Sequence, residues 1–289
     1  MSQASICKSL CMTRTTNYFI FLSLTISFCN GNKQSLSKQL RTASQATSGY
    51  GNIGEIPVPE GYQRTKIDEH SFGEWLRQIK LRKDSNVYLY NGMLKSNQLS
   101  QYVVLDIPVG NSDLQQCADA IMRLRAEYFL NENSTGAIHF RTTGGTELSF
   151  GPWLHGERYE LKGSRLCAYV TSPSTANKRT QLEQFLKVVF TYCGTSSLVK
   201  ETRPINVNDM EIGDVFVKAG GHAMLIVDLA TNEKGDKVFL LAQSAMPAQD
   251  VHVVKNPTDG RLSPWYKITA DSKIITPEWI FYRDQLKTW

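Results

Sequence analysis

Residues 212–229, IGDVFVKAGGHAMLIVDL, read as strand, glycine turn and strand. DVFVKA is the first strand, Gly220-Gly221 the turn, and HAMLIVDLA the second, with His222 at its mouth. Alternation sends His222, Met224, Ile226 and Asp228 to one face and Ala223, Leu225 and Val227 to the other. VFLLAQSA (238–245) follows across the NEKGDK loop as the partner strand, and HVVKN, WYKI and WIFYR continue the run of short extended segments. Working back toward the N-terminus, RTQLEQFLKVVFTYCG (179–194) and DLQQCADAIMRLRAEYF (113–129) carry apolar residues at helical spacing, with Ser112 or Asp113 as cap of the latter. SFGEWLRQIKL (71–81) is a shorter amphipathic helix, and NVYLY and YVVLDIPV are strand-like. Helices first and a meander of strands later predict one α+β domain over residues 56–289, with a Gly/Trp-rich insertion at about 136–163.

The 289 residues are 41% hydrophobic and 20% charged, ordinary for a globular chain, and the net charge is +5. Lys and Arg are scattered, without the basic, aromatic-lined stretch that a nucleic-acid groove needs, so no nucleic-acid partner is expected. Residues 14–28, RTTNYFIFLSLTISF, form an apolar run shorter than the ~20 residues of a membrane helix, and fit a signal-peptide core. Cys29 follows it, so residues 1–29 read as a signal peptide or lipoprotein leader. Cys29 is the candidate lipid attachment point, and the chain is expected to be exported to the periplasm or cell envelope. Residues 30–55, rich in Ser, Gln, Thr, Gly and Asn, read as a flexible tether.

Beyond the leader stand three cysteines, Cys117, Cys167 and Cys193, too few for a disulfide scaffold. Cys117 lies early in its helix, where unpaired N–H groups favour a thiolate. His222, at a strand mouth, is the candidate to take its proton. A third group must orient the imidazole, and Gln243 on the next strand is well placed; Asp228 is too far along the strand, and Gln249 is a second choice. For an oxyanion hole, the Cys117 N–H is one donor, and Gln98, Gln115 or Gln116 offers a side-chain amide, with Gln98 preferred because a loop carries it. Arg123, Arg125 and Glu127 form a polar helix face suited to salt bridges with the insertion. The five histidines are dispersed and there is no HExxH, paired-cysteine or phosphate-loop motif, so no metal or cofactor is expected.

These residues carry a resemblance. DLQQCADAIMRLRAEY, GDVFVKAGGHAMLIVD, LLAQSAMPAQD, NPTDGRLSPWY and ITPEWIF resemble DUF4846, a bacterial family of unknown function met in Bacteroidetes, from about Tyr50 onward. More distantly, a helix-borne cysteine, a histidine opening a strand after Gly213-Asp214-Val215 and a polar residue on the next strand resemble the NlpC/P60 and CHAP branch of papain-like hydrolases. That likeness implies a papain-like core and cleavage of peptide or amide bonds in peptidoglycan-derived or envelope peptides. The chain departs from it where Gln116 precedes the cysteine and Ala118-Asp119 follow. Two readings stay open: a thiol hydrolase, and a non-catalytic envelope protein binding peptide or glycan through insertion aromatics such as Trp153 and Tyr159.

Overall fold

A computed structural model describes residues 49–268 and 273–289. The expected leader and Cys29 lie outside these residues. Tyr50 and the fully buried Ile53 already pack in the core, so the folded body starts ahead of Ile56.

The chain is mixed α and β. Five α-helices are described: α1 (Phe72–Arg77), α2 (Cys117–Asn131), α3 (Phe150–Leu154), α4 (Lys178–Tyr192) and α5 (Thr195–Glu201). The main sheet has eight antiparallel strands: β1 (Tyr62–Arg64), β2 (Gln101–Val104), β7 (Arg203–Pro204), β8 (Val215–Val217), β9 (Ala223–Asn232), β10 (Lys237–Gln243), β11 (His252–Val254) and β14 (Leu286–Thr288). Its order is β2-β11-β10-β9-β8-β14-β7, with β1 paired to the far half of β9. Three hairpins stand apart: β3 (His139–Arg141) with β4 (Glu147–Ser149), β5 (Glu157–Lys162) with β6 (Arg165–Val170), and β12 (Lys273–Ile275) with β13 (Ile280–Tyr282).

The period-2 pattern of β9 sorts the core into two. Ala223, Leu225 and Val227, with Leu240 and Ala242 of β10, join the larger cluster, which also holds Ile121 and Leu124 of α2 and Phe185 of α4. Met224, Ile226, Phe239 and Leu241 join the second cluster beneath Phe281 of β13. Each such side chain contributes about 1.5–3 kcal/mol on burial, so a one-residue slip of β9 would forfeit both layers at once.

Local differences from the sequence reading have tertiary causes. NVYLY forms only isolated bridges, Tyr88 to Leu94 and Leu89 to Gln249. α4 ends at Tyr192, and Gly194 leads directly into α5. Ser71 caps α1 as its composition suggests, accepting from the Glu74 N–H at 3.2 Å. Residues 136–163 are built into the body: Trp153 is buried against Phe185, with centroids 5.6 Å apart, and Tyr159 stacks on Trp153. Trp153 and Tyr159 thus serve the core rather than an exposed recognition surface.

Candidate active site

α2 starts at Cys117, with Gln116 in extended conformation as its N-cap. The cysteine is therefore the first helical residue. Asp119 reaches back to accept from the Gln116 N–H at 3.0 Å. Asp113, expected as a cap, is used elsewhere: it accepts from the Ala248 N–H at 2.7 Å. The Ser244 hydroxyl faces both the Gln115 carbonyl (3.1 Å) and the Gln249 carbonyl (2.7 Å). The 244–250 loop thus holds the head of α2 against the end of β10.

His222 is positioned by the turn that precedes it. Gly220 has φ +64°, the Gly221 N–H donates to the Lys218 carbonyl, and the Lys218 N–H donates to the His222 carbonyl. The next residue, Ala223, points its N–H at the Cys117 sulfur. Helix head and strand mouth thus meet at Cys117 and His222–Ala223. On the far side, the imidazole stacks on Trp279, centroids 4.9 Å apart and planes 8° from parallel.

The structure places Gln243 beside His222: its Oε1 lies 2.7 Å from His222 Nε2. A chain of acceptors fixes the direction of that bond. Lys95 Nζ holds the Glu278 carboxylate at 2.7 Å. Glu278 sits below the ordinary carboxylate range: burial pushes it up, but the Lys95 hydrogen bond and charge more than offset this. A carboxylate only accepts, so the Gln243 amide nitrogen turns toward Glu278, at 2.8 Å, and its oxygen toward His222. His222 must then carry its proton on Nε2, leaving Nδ1 as the basic nitrogen. The same amide nitrogen lies 3.2 Å from Nε2 of the fully buried His252, whose Nδ1–H donates to the Asp250 carbonyl at 2.9 Å.

Protonation differs from the thiolate expected of a helix head. Burial pushes the Cys117 thiol up, against the pull of the Ala223, Ala118 and Cys117 N–H groups, and Asp119 adds to the rise. Burial likewise lowers His222 to about 4, although Gln243 and Glu278 oppose the change. The resting pair is therefore neutral thiol and neutral imidazole.

Gln98 is not brought to this centre. Its amide donates to the Val87 and Lys95 carbonyls at 2.8 Å each, and its oxygen accepts from the Val87 N–H and from Gln101. With both ends engaged, it clips its own loop together. Gln115 is different: it is 1% exposed, its oxygen accepts from Arg123, and its Nε2 has no acceptor. It lines a cavity of about 310 Å³ beside the helix head, floored by Leu114, Leu186 and Phe190. Arg123 pairs with Glu127 at 2.8 Å within α2, so these two charges do not bind the insertion as expected. Gln249 stays near the helix head, not beside His222, through its carbonyl. Cys167 and Cys193 are both free thiols.

Sequence reasoning missed Glu278, Trp279, Lys95 and His252. The acid–aromatic pair in TPEW was the sole local hint, and nothing in it points to a strand so distant in the chain. Among the described residues, no group of three or more His, Cys, Asp or Glu side chains gathers to hold a metal ion, and no helix is long and apolar enough to cross a membrane.

Half-buried Cys117 and buried His222 and Gln243 thus sit together on a mixed α/β framework. The chain belongs to the family described as domain of unknown function 4846 (DUF4846), whose model matches residues 54–288. No curated protein matches it. No solved structure matches it either.

Proposed function

We propose that this protein is a thiol hydrolase with a papain-like core that cleaves a peptide or amide bond. One observation carries the reading: the sulfur at the first residue of α2 meets the strand mouth bearing His222, whose Nε2 is held by Gln243. Cys117 attacks the carbonyl carbon as its S–H proton passes to His222 Nδ1. Because both groups rest neutral, proton transfer accompanies attack, and His222 acts as a general base rather than as the cation of a standing ion pair. The oxyanion is met by the Cys117 N–H, and the side-chain donor assigned to it is Gln115, whose buried Nε2 lacks an acceptor. On collapse of the intermediate the C–N bond breaks, and His222 returns the proton to the departing amine. Water, deprotonated by His222, then hydrolyses the thioester and restores the thiol.

The apolar floor of the neighbouring cavity suits a side chain of the acyl half of a peptide. Export and an envelope substrate such as a peptidoglycan-derived peptide remain part of the proposal, resting on the sequence of residues 1–29 and on the NlpC/P60 likeness. A lipid anchor at Cys29 belongs to the same proposal.

The test is labelling with a peptidyl acyloxymethyl ketone, followed by mass spectrometry. The expected result is one adduct on Cys117, formed roughly a hundredfold more slowly in His222→Ala. Labelling indifferent to His222, or spread evenly over Cys117, Cys167 and Cys193, would overturn the hydrolase.

A further inference from the structure

Well along α2 from Cys117 lies a separate cavity of about 550 Å³, within the size range of small-molecule sites. Its lining includes Arg125, Arg141, Glu201, Phe140 and Trp289. Two of these, Glu201 and Trp289, carry buried polar atoms without a hydrogen-bond partner, and the half-buried Arg125 has no ion pair among the described residues. The Arg125 guanidinium carbon lies over two rings, 4.2 Å from the Trp289 centroid and 4.9 Å from that of Phe129. Among the described residues, no carboxylate lies within ion-pair distance of it and no acceptor takes its hydrogen bonds, although the Glu201 charge acts on it from farther off. The Trp289 indole N–H is buried without an acceptor. Glu201 accepts from the Arg141 backbone N–H through Oε1, while Oε2 is buried without a donor.

A buried polar group without a partner costs about 1–3 kcal/mol, more when charged. Two such groups, beside a guanidinium without an ion pair and lining one cavity, are best understood as waiting for a ligand. They are also of two kinds. Arg125 and Trp289 only donate. Glu201, as a carboxylate, only accepts. Burial pushes its carboxyl up to about 7 and the guanidinium down to about 10, and both changes would be relieved by a counter-charge. A simple anion such as phosphate would answer Arg125 but would face the Glu201 oxygen, and a simple amine would do the reverse.

We propose that this cavity binds a zwitterion of the amino-acid or short-peptide class, its carboxylate on Arg125 and the Trp289 N–H and its ammonium on Glu201 Oε2. The planar guanidinium matches a carboxylate through two parallel N–H bonds, and the Phe129 and Trp289 rings pack against it. Phe140 supplies an apolar wall for the aliphatic part.

The test is calorimetric titration at pH 8 of the full chain carrying Cys117→Ala, so that hydrolysis cannot consume the probe. Alanyl-alanine is expected to bind, while its methyl ester, its N-acetyl form, acetate and inorganic phosphate bind at least tenfold more weakly. Arg125→Gln and Glu201→Gln are each expected to weaken the dipeptide at least tenfold. If either variant loses its cooperative melt, the ligand series on the parent protein decides. No dipeptide binding, acetate or phosphate binding as tightly as the dipeptide, or a folded Glu201→Gln with unchanged affinity would each overturn the proposal.

Discussion

His222 is held so that only one of its nitrogens is free to react. Lys95 fixes Glu278, Glu278 fixes the amide of Gln243, and Gln243 fixes the tautomer. Because burial lowers His222 to about 4, the imidazole stays neutral well below the usual histidine range. The rate of ketone labelling should therefore be flat from about pH 5.5 to 8 and fall on the acid side near pH 4. A limb at the unperturbed ~6.5 would sink the neutral-pair mechanism. Gln243→Ala frees the ring and is expected to slow labelling roughly tenfold or more and shift the acid limb, while the melt stays cooperative. At this scale the sequence was informative where chemistry is local. A cysteine at a helix start, a histidine after Gly-Gly and a glutamine on the adjacent strand could all be read from spacing. Gln98 could not, because its amide competes for carbonyls, those of Val87 and Lys95, that only tertiary structure brings within reach. Glu278 and Trp279 stayed hidden because a distant hairpin delivers them.

Element boundaries show the same division. The apolar periodicity of α2 was plain, but its start was not. Local propensity favours Ser112 or Asp113 as cap, yet Asp113 is taken by the Ala248 N–H, and the helix begins where Asp119 can close on Gln116. That closure has a penalty of its own. Asp119 is 5% exposed, its Oδ1 has no partner, and burial raises it to about 7. The unfolded chain releases this proton near pH 4 and the native chain only near 7. Stability from this group is thus complete below pH ~4 and is lost as pH rises through 7. Asp119→Asn keeps an acceptor for the Gln116 N–H and cannot ionise. Its stability relative to the parent should therefore improve between pH 4.5 and 8.5, on the order of 2–4 kcal/mol. Denaturant unfolding of both proteins at the two pH values checks this; a pH-independent difference would count against a buried, ionising Asp119.

Across the whole molecule, the order of helices then strands and the two faces of β9 were legible, because burial imposes its period over many residues. The union of the N-terminal segments with the sheet was not. It runs through Asp228, which is wholly buried and accepts from Arg64 of β1 at 2.8 Å and from Arg77 of α1 at 2.6 Å. Sequence inspection excluded Asp228 from the catalytic group but offered no sign of these partners, far removed along the chain. Asp228→Asn leaves two largely buried guanidinium groups without their counter-charge. It should cost about 3–5 kcal/mol in urea unfolding. A loss below about 1 kcal/mol would mean that the packing of β1 and α1 does not depend on it.

The placement of Glu278 and Trp279 also bears on the order of events during synthesis. Cys117, His222 and Gln243 leave the ribosome well before the β12–β13 turn, and domains fill in from the N-terminus as they emerge. Until that last hairpin docks, the Gln243 amide lacks the carboxylate that orients it and the imidazole lacks its aromatic cover. Before that docking, Cys117 and His222 would stand without the contacts that align the imidazole, so any proposed hydrolytic competence would arise only once the β12–β13 hairpin is in place.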